Sequence, residues 1–165
     1  MKDMKQLELE ELKWQQAGAW GKNFELVTPE GEIVASLVRP SWWKEYTEVD
    51  APGMRWSFER KGFFRQHIVI KAIATGDEPA RFDCSMSGGT LTFADGRVYH
   101  WKSGNFWGSK WIWATPDDQP VIGFRSGGIL RFTGELELSQ VAAQTDSLAL
   151  MLFLGWYLVI LRHQD

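Results

Sequence analysis

Leu148-Ala149-Leu150-Met151-Leu152-Phe153-Leu154-Gly155-Trp156-Tyr157-Leu158-Val159-Ile160-Leu161 is a run of fourteen residues without a charge. Leu and Met are strong helix formers, and only Gly155 interrupts them. Arg162 and His163 follow, as suits the C-terminal end of a helix dipole. Residues 139–147 are polar, and Asp146 or Ser147 offers an N-cap. As a helix the run spans about 21 Å, whereas crossing the ~30 Å core of a bilayer takes about twenty residues. A helix that is apolar on every face must be surrounded by protein or by lipid. Resting on one side of a sheet, it would leave half its surface wet. A closed antiparallel sheet wrapped around it satisfies both conditions. A C-terminal membrane anchor is the alternative, and the shortness of the run argues against it. Burying about ten such large side chains, at roughly 1.5–3 kcal/mol each, would supply a major share of the folding free energy.

Upstream, turn signals punctuate the chain every eight to twelve residues: Pro29-Glu30-Gly31, Ala51-Pro52-Gly53, Lys61-Gly62, Gly76-Asp77-Glu78-Pro79, Ser87-Gly88-Gly89, Asp95-Gly96, Pro116-Asp117-Asp118 and Ser126-Gly127-Gly128. Asp-Gly and Gly-Gly supply the positive φ angles that tight hairpins need. Between them lie short runs rich in Val, Ile, Thr, Phe and Trp, the pattern of an all-β sandwich or barrel. About twelve such runs lie between Leu9 and Leu138. Alternation places Tyr99 and Trp101 on one strand face and His100 and Lys102 on the other. Likewise Trp111 and Trp113 share a face. So do Phe64, Ile68 and Ile70, with Arg65, His67 and Lys71 opposite. A six-residue strand rises about 20 Å, which matches the length of the helix. The expected fold is therefore all-β with one helix, an antiparallel barrel of about twelve strands enclosing a hydrophobic C-terminal α-helix. One domain covers residues 1–165, with 1–8 as an N-terminal arm and 147–163 as the central helix.

A β-rich chain of this length that closes with a wholly apolar helix resembles the tubby C-terminal-like superfamily, which includes tubby domains, phospholipid scramblases and LURP-one-related proteins. The residues that carry the likeness are 146–162, together with the Asp95-Gly96 hairpin and the Trp-rich strands from Leu91 to Trp113. The small bacterial members are the most similar in pattern. The resemblance implies a twelve-stranded barrel around the helix and a function at lipid surfaces. A calcium-binding acidic loop, a cysteine cluster and the basic phosphoinositide motif of tubby domains are absent from the sequence.

Composition bounds the rest. Hydrophobic residues make up 44% of the chain and charged residues 24%, ordinary values for a globular protein. Ten tryptophans and ten phenylalanines are the exception. Such side chains fill barrel interiors and also form binding faces. Eighteen basic residues against 21 acidic ones give a net charge of -3, without the basic footprint of a nucleic-acid binder. Cys84 is the lone cysteine, which excludes an intramolecular disulfide and favours a reducing compartment. The N-terminus has no apolar signal segment, so a cytoplasmic protein, peripheral at a membrane, is expected.

Motifs for chemistry are sparse. No G-x-S-x-G, G-x-G-x-x-G or P-loop pattern occurs. His67, His100 and His163 lack metal-ligand spacing, and one cysteine does not build a typical zinc site, so no metal, cofactor or catalytic set is assigned. A dyad of Cys84 with His100 or His67 requires the fold to join them. Asp117-Asp118 is explained by a turn. The local charge anomaly is residues 54–73, where Arg55, Arg60, Lys61, Arg65 and Lys71 face a single acid, Glu59, and interleave with Trp56, Phe58, Phe63 and Phe64. Such a stretch binds anionic lipid headgroups or phosphates. Equally, it is the solvated outer face of two strands whose inner face supplies the aromatics. Trp42-Trp43 and Phe106-Trp107 place adjacent aromatics on opposite faces, which makes Trp43 and Trp107 candidates for an interaction surface, with loop packing as the alternative. The expected function is a non-enzymatic binding module for anionic phospholipid headgroups at a membrane surface. A protein-interaction or scaffold domain using exposed Trp is the alternative. Nucleic acid and a transmembrane span are not expected.

Overall fold

In the structure, a computed structural model, residues 11–17, 23–39, 45–104, 110–127, 133–139 and 148–164 are described. Twelve strands precede one helix: β1 (Lys13–Gln16), β2 (Asn23–Val27), β3 (Ile33–Val38), β4 (Tyr46–Ala51), β5 (Met54–Lys61), β6 (His67–Ala72), β7 (Ala80–Ser85), β8 (Gly88–Phe93), β9 (Val98–Ser103), β10 (Lys110–Ala114), β11 (Pro120–Gly127), β12 (Thr133–Leu138) and α1 (Leu148–Gln164). Every strand pairs antiparallel with its sequence neighbours, and β1 pairs with β12 to close the barrel. Closure removes the unpaired edges that would otherwise invite aggregation.

The expected barrel around the helix is the observed one. From Leu150 to Leu161 each α1 side chain is buried apart from Gly155, which has none, and Arg162 is exposed. The alternation expected for β9 and β10 also holds, since Tyr99, Trp101, Trp111 and Trp113 are all buried. Among the described residues, no helix is long and apolar enough to cross a membrane.

Aromatic packing fixes how the helix sits. Trp113 Nε1 donates to the Met151 carbonyl at 2.8 Å. Trp156 stacks on Trp14 of β1, with ring centroids 5.9 Å apart and planes within 5°. Phe153 meets Trp56 and Tyr157 meets Phe58, so α1 runs in the same direction as β5. The C-terminal end of the helix therefore lies at the rim where β5 turns into β6. Burial holds the Tyr157 hydroxyl well above the ordinary tyrosine range.

Outside the barrel, Glu137 of β12 accepts from Lys110 of β10 at 2.7 Å and from Arg125 of β11 at 2.9 Å. Its hydrogen bond from Lys110, more than any other influence, holds its carboxyl below the usual range. A carboxyl with a lowered folded value stabilises above the ordinary range, and that contribution is lost as pH falls through the folded value. Glu137→Gln is therefore expected to flatten the acid limb of the stability–pH curve. An acid limb identical to that of the parent protein would show that this cluster contributes no linkage.

Candidate functional site

The β5–β6 hairpin carries the five basic residues that the sequence singles out, and the structure divides them. In β5 the inward positions are Met54, Trp56, Phe58 and Arg60, and the outward ones are Arg55, Ser57, Glu59 and Lys61. Arg60 thus shares the helix-facing side with Phe58. It donates to Glu45 from Nε at 2.5 Å and from a terminal nitrogen at 3.2 Å. Lys61 pairs with Glu59 at 3.1 Å, and Arg55 pairs with Glu48 at 3.5 Å. Arg65 lies in the turn, exposed, and Lys71 lies on the outer face of β6. Neither has an ion-pair partner among the described residues. Arg55 and Lys71 sit at the opposite end of the hairpin from Arg60, Lys61 and Arg65. The sequence window contains one acid, but Glu45 and Glu48 enter from β4 and its approach and neutralise two of the five cations.

The turn itself departs from expectation. Phe64 does not share the inner face with Ile68 and Ile70. Phe63 and Phe64 project from the tip, 87% and 93% exposed, with ring centroids 5.0 Å apart and planes at 90°. Strand alternation stops at Gly62, whose φ is +93°. A Cβ there would lie 2.4 Å from the Arg65 carbonyl oxygen, so glycine is what lets the chain reverse this tightly. On the neighbouring β7–β8 turn Met86 is also fully exposed (102%). The two turns adjoin, because the Cys84 N–H donates to the Gln66 carbonyl at 3.0 Å.

Beneath these turns the barrel mouth opens into a cleft of about 430 Å³, lined by Arg60, Gln66, Cys84, Trp101, Trp111 and Arg162 among others. Arg162, from the last turn of α1, lies over the Trp111 ring at 4.6 Å. Its place beside Arg60 was not legible in the sequence, where 102 positions separate the two. The Cys84 thiol is half-buried, and burial raises its pKa against the opposing pull of Arg60. A raised thiol pKa leaves little thiolate at neutral pH. Cys84 shares the inner face with Phe82, whereas His67 and His100 lie on outward positions of β6 and β9. The sheet therefore separates the thiol from both imidazoles, and a Cys–His dyad does not form. Trp43 and Trp107 lie outside the described residues.

In chemical terms the rim offers apolar tips, guanidinium groups and a cleft walled in part by Trp101 and Trp111. Arg60 and Lys61 are matched by Glu45 and Glu59. Arg65 and Arg162 remain as positive charge with no carboxylate bound among the described residues.

No family model matches the chain. No curated protein matches it in sequence. Among solved structures, the X-ray structure of a protein from Arabidopsis thaliana, AT5G01750, is similar over 98% of this chain and 95% of that one, with a TM-score of 0.56 and 13% identity. At that identity the likeness is one of fold: the plant protein and this chain share the barrel architecture.

Proposed function

We propose that the protein is a non-enzymatic binding module for anionic phospholipid headgroups at a membrane surface, and that it is a tubby C-terminal-like domain. The observation that carries the binding proposal is the charge at the β5–β6 rim. Arg65 and Arg162 are exposed and free of carboxylates among the described residues, Arg65 in the β5–β6 turn and Arg162 lining a cleft at the same rim that also holds Arg60. The protein is acidic overall, so a local excess of cations must act at short range, within a Debye length of about 8–10 Å at physiological salt. The family proposal is supported by the twelve-strand barrel around an apolar C-terminal helix and by the similarity in fold to the plant protein.

The test is co-sedimentation with phosphatidylcholine vesicles, with and without phosphatidylserine, at low and high salt. Binding to the anionic vesicles alone, weakened by salt, is expected. A cation near such a surface contributes about 1 kcal/mol. The double variant Arg65→Gln/Arg162→Gln should therefore lose about 2 kcal/mol, more than tenfold in affinity. Arg55→Gln/Lys71→Gln, at the far end of the hairpin, should bind nearly as the parent does. Equal losses in the two variants would remove the rim from the proposal. No binding by the parent would remove the lipid function itself and direct attention to protein partners.

A further inference from the structure

We infer that the protein docks end-on, inserting Phe63, Phe64 and Met86 into the interfacial layer of an anionic bilayer with the C-terminal end of the central helix toward the membrane. This rests on the lipid-surface function proposed above and adds its geometry. The three most exposed large apolar side chains among the described residues are these, and they belong to two adjoining turns at one end of the barrel. Elsewhere among the described residues large apolar side chains are mostly hidden. Trp14, Trp113 and Trp156 are wholly buried, and the other prominent apolar exposures, Ile33 and Val38, stay near 40%. Two phenyl rings held in water by a turn that only glycine can form need an occupant that takes them out of water.

Charge selects that occupant. Lys61 and Arg65 flank the two phenylalanines in sequence, and Arg60 and Arg162 stand just inside the rim. Among the described residues, the acids at this rim, Glu45 and Glu59, are bound to Arg60 and Lys61, and Asp83 of β7 is bound to Arg81. A net positive collar behind apolar tips matches a layer of anionic headgroups over acyl chains. Aromatic rings favour that boundary, and long basic side chains reach back to the headgroups. An apolar groove in a protein partner would satisfy the rings but would not call for the collar.

The geometry also predicts which charges contribute. Arg55 lies six strand positions from Lys61 and Lys71 four from His67, about 20 Å and about 13 Å from the rim, both beyond the screening length. End-on docking thus accounts for the same rim-versus-far-end contrast that the charge variants probe, through an independent set of apolar residues.

The experiment places an environment-sensitive NBD probe at position 64 (Phe64→Cys in a Cys84→Ser background). The control is the exposed turn at the opposite rim (Asp77→Cys in the same background). On anionic phosphatidylserine-containing vesicles, emission from position 64 should shift to the blue and be quenched by a lipid-borne quencher. Emission from position 77 should not change. In parallel, Phe63→Ser/Phe64→Ser should weaken vesicle binding by about tenfold or more, the scale of removing two phenyl rings from water. Both rings are exposed, so the fold is expected to be retained, which thermal unfolding will check. If the protein co-sediments while position 64 stays in an aqueous environment, or if the double serine variant binds as the parent does, end-on insertion is wrong and the charge-based function stands. If the parent fails to co-sediment at all, both fall. If the serine variant instead converts a dimer to a monomer in sedimentation velocity, the tips serve a second copy of this chain, and insertion is overturned.

Discussion

Trp156→Ala is expected to destabilise the protein by about 3–5 kcal/mol, the usual range for truncating a buried aromatic side chain. Domain stabilities are about 5–15 kcal/mol, so this one change removes much of the margin. Trp156 is wholly buried at the middle of the helix. It stacks on Trp14 and meets the edge of Phe24 at 5.8 Å, so its loss opens a void between the helix and strands β1 and β2. It also lies over Gly134 of β12, where an added Cβ would come within 2.2 Å of the indole. That contact supplies a second, sharper measurement. Gly134→Ala should destabilise the parent by about 1–3 kcal/mol through overpacking. In a Trp156→Leu background, where the indole is gone, the same alanine should cost little. Denaturant titrations of the four proteins give the coupling directly. Simple additivity of the two changes would mean that Trp156 and Gly134 do not share space in solution.

Gly155→Ala sets two effects of opposite sign against each other. In an exposed helix, replacing glycine by alanine stabilises by about 0.8–1 kcal/mol through backbone entropy and solvation. Here the new methyl would lie 2.4 Å from the Phe124 ring and 2.8 Å from Trp113 Nε1. Phe124 is itself wholly buried, so its ring has no open space to move into. Trp113 is held by its hydrogen bond to Met151, one turn earlier on the same helix. Overpacking of a tight core typically costs about 1–3 kcal/mol. Steric conflict should therefore win, with a net loss on the order of 1 kcal/mol. Gly155→Val, which adds two further methyl groups, should lose considerably more. A stabilised Gly155→Ala variant would show that the helix stands farther from β10 and β11 than it does here.

The glycine that looks like a flaw in an otherwise strong helix is thus the point of closest approach between helix and wall. Its presence was visible in the sequence, and its reason was not. The neighbours that forbid a side chain come from β10 and β11, more than 30 residues upstream. The same holds for the candidate site. Charge clustering in residues 54–73 drew attention to the β5–β6 hairpin. It overstated the free charge, because Glu45 and Glu48 lie outside that window and meet Arg60 and Arg55 across the strand pair. It also placed Phe64 indoors by continuing the strand alternation through Gly62, where the backbone leaves the β region.

What the sequence by itself determined is the set of properties that depend on near neighbours. An uncharged run too short to span a bilayer and apolar on every side specifies a helix enclosed by protein. Regular alternation broken by Gly, Pro and Asp specifies many short antiparallel strands, and together they specify the barrel. Periodicity is a local property, so it survives without knowledge of the fold. The tertiary structure alone decided which cations remain unmatched, which aromatic residues meet water, and that Arg162 closes the rim beside Arg60. These depend on pairs brought together by β-register and by the direction of the helix inside the barrel. Electrostatic and steric neighbours act over a few ångströms of space, whatever the distance along the chain.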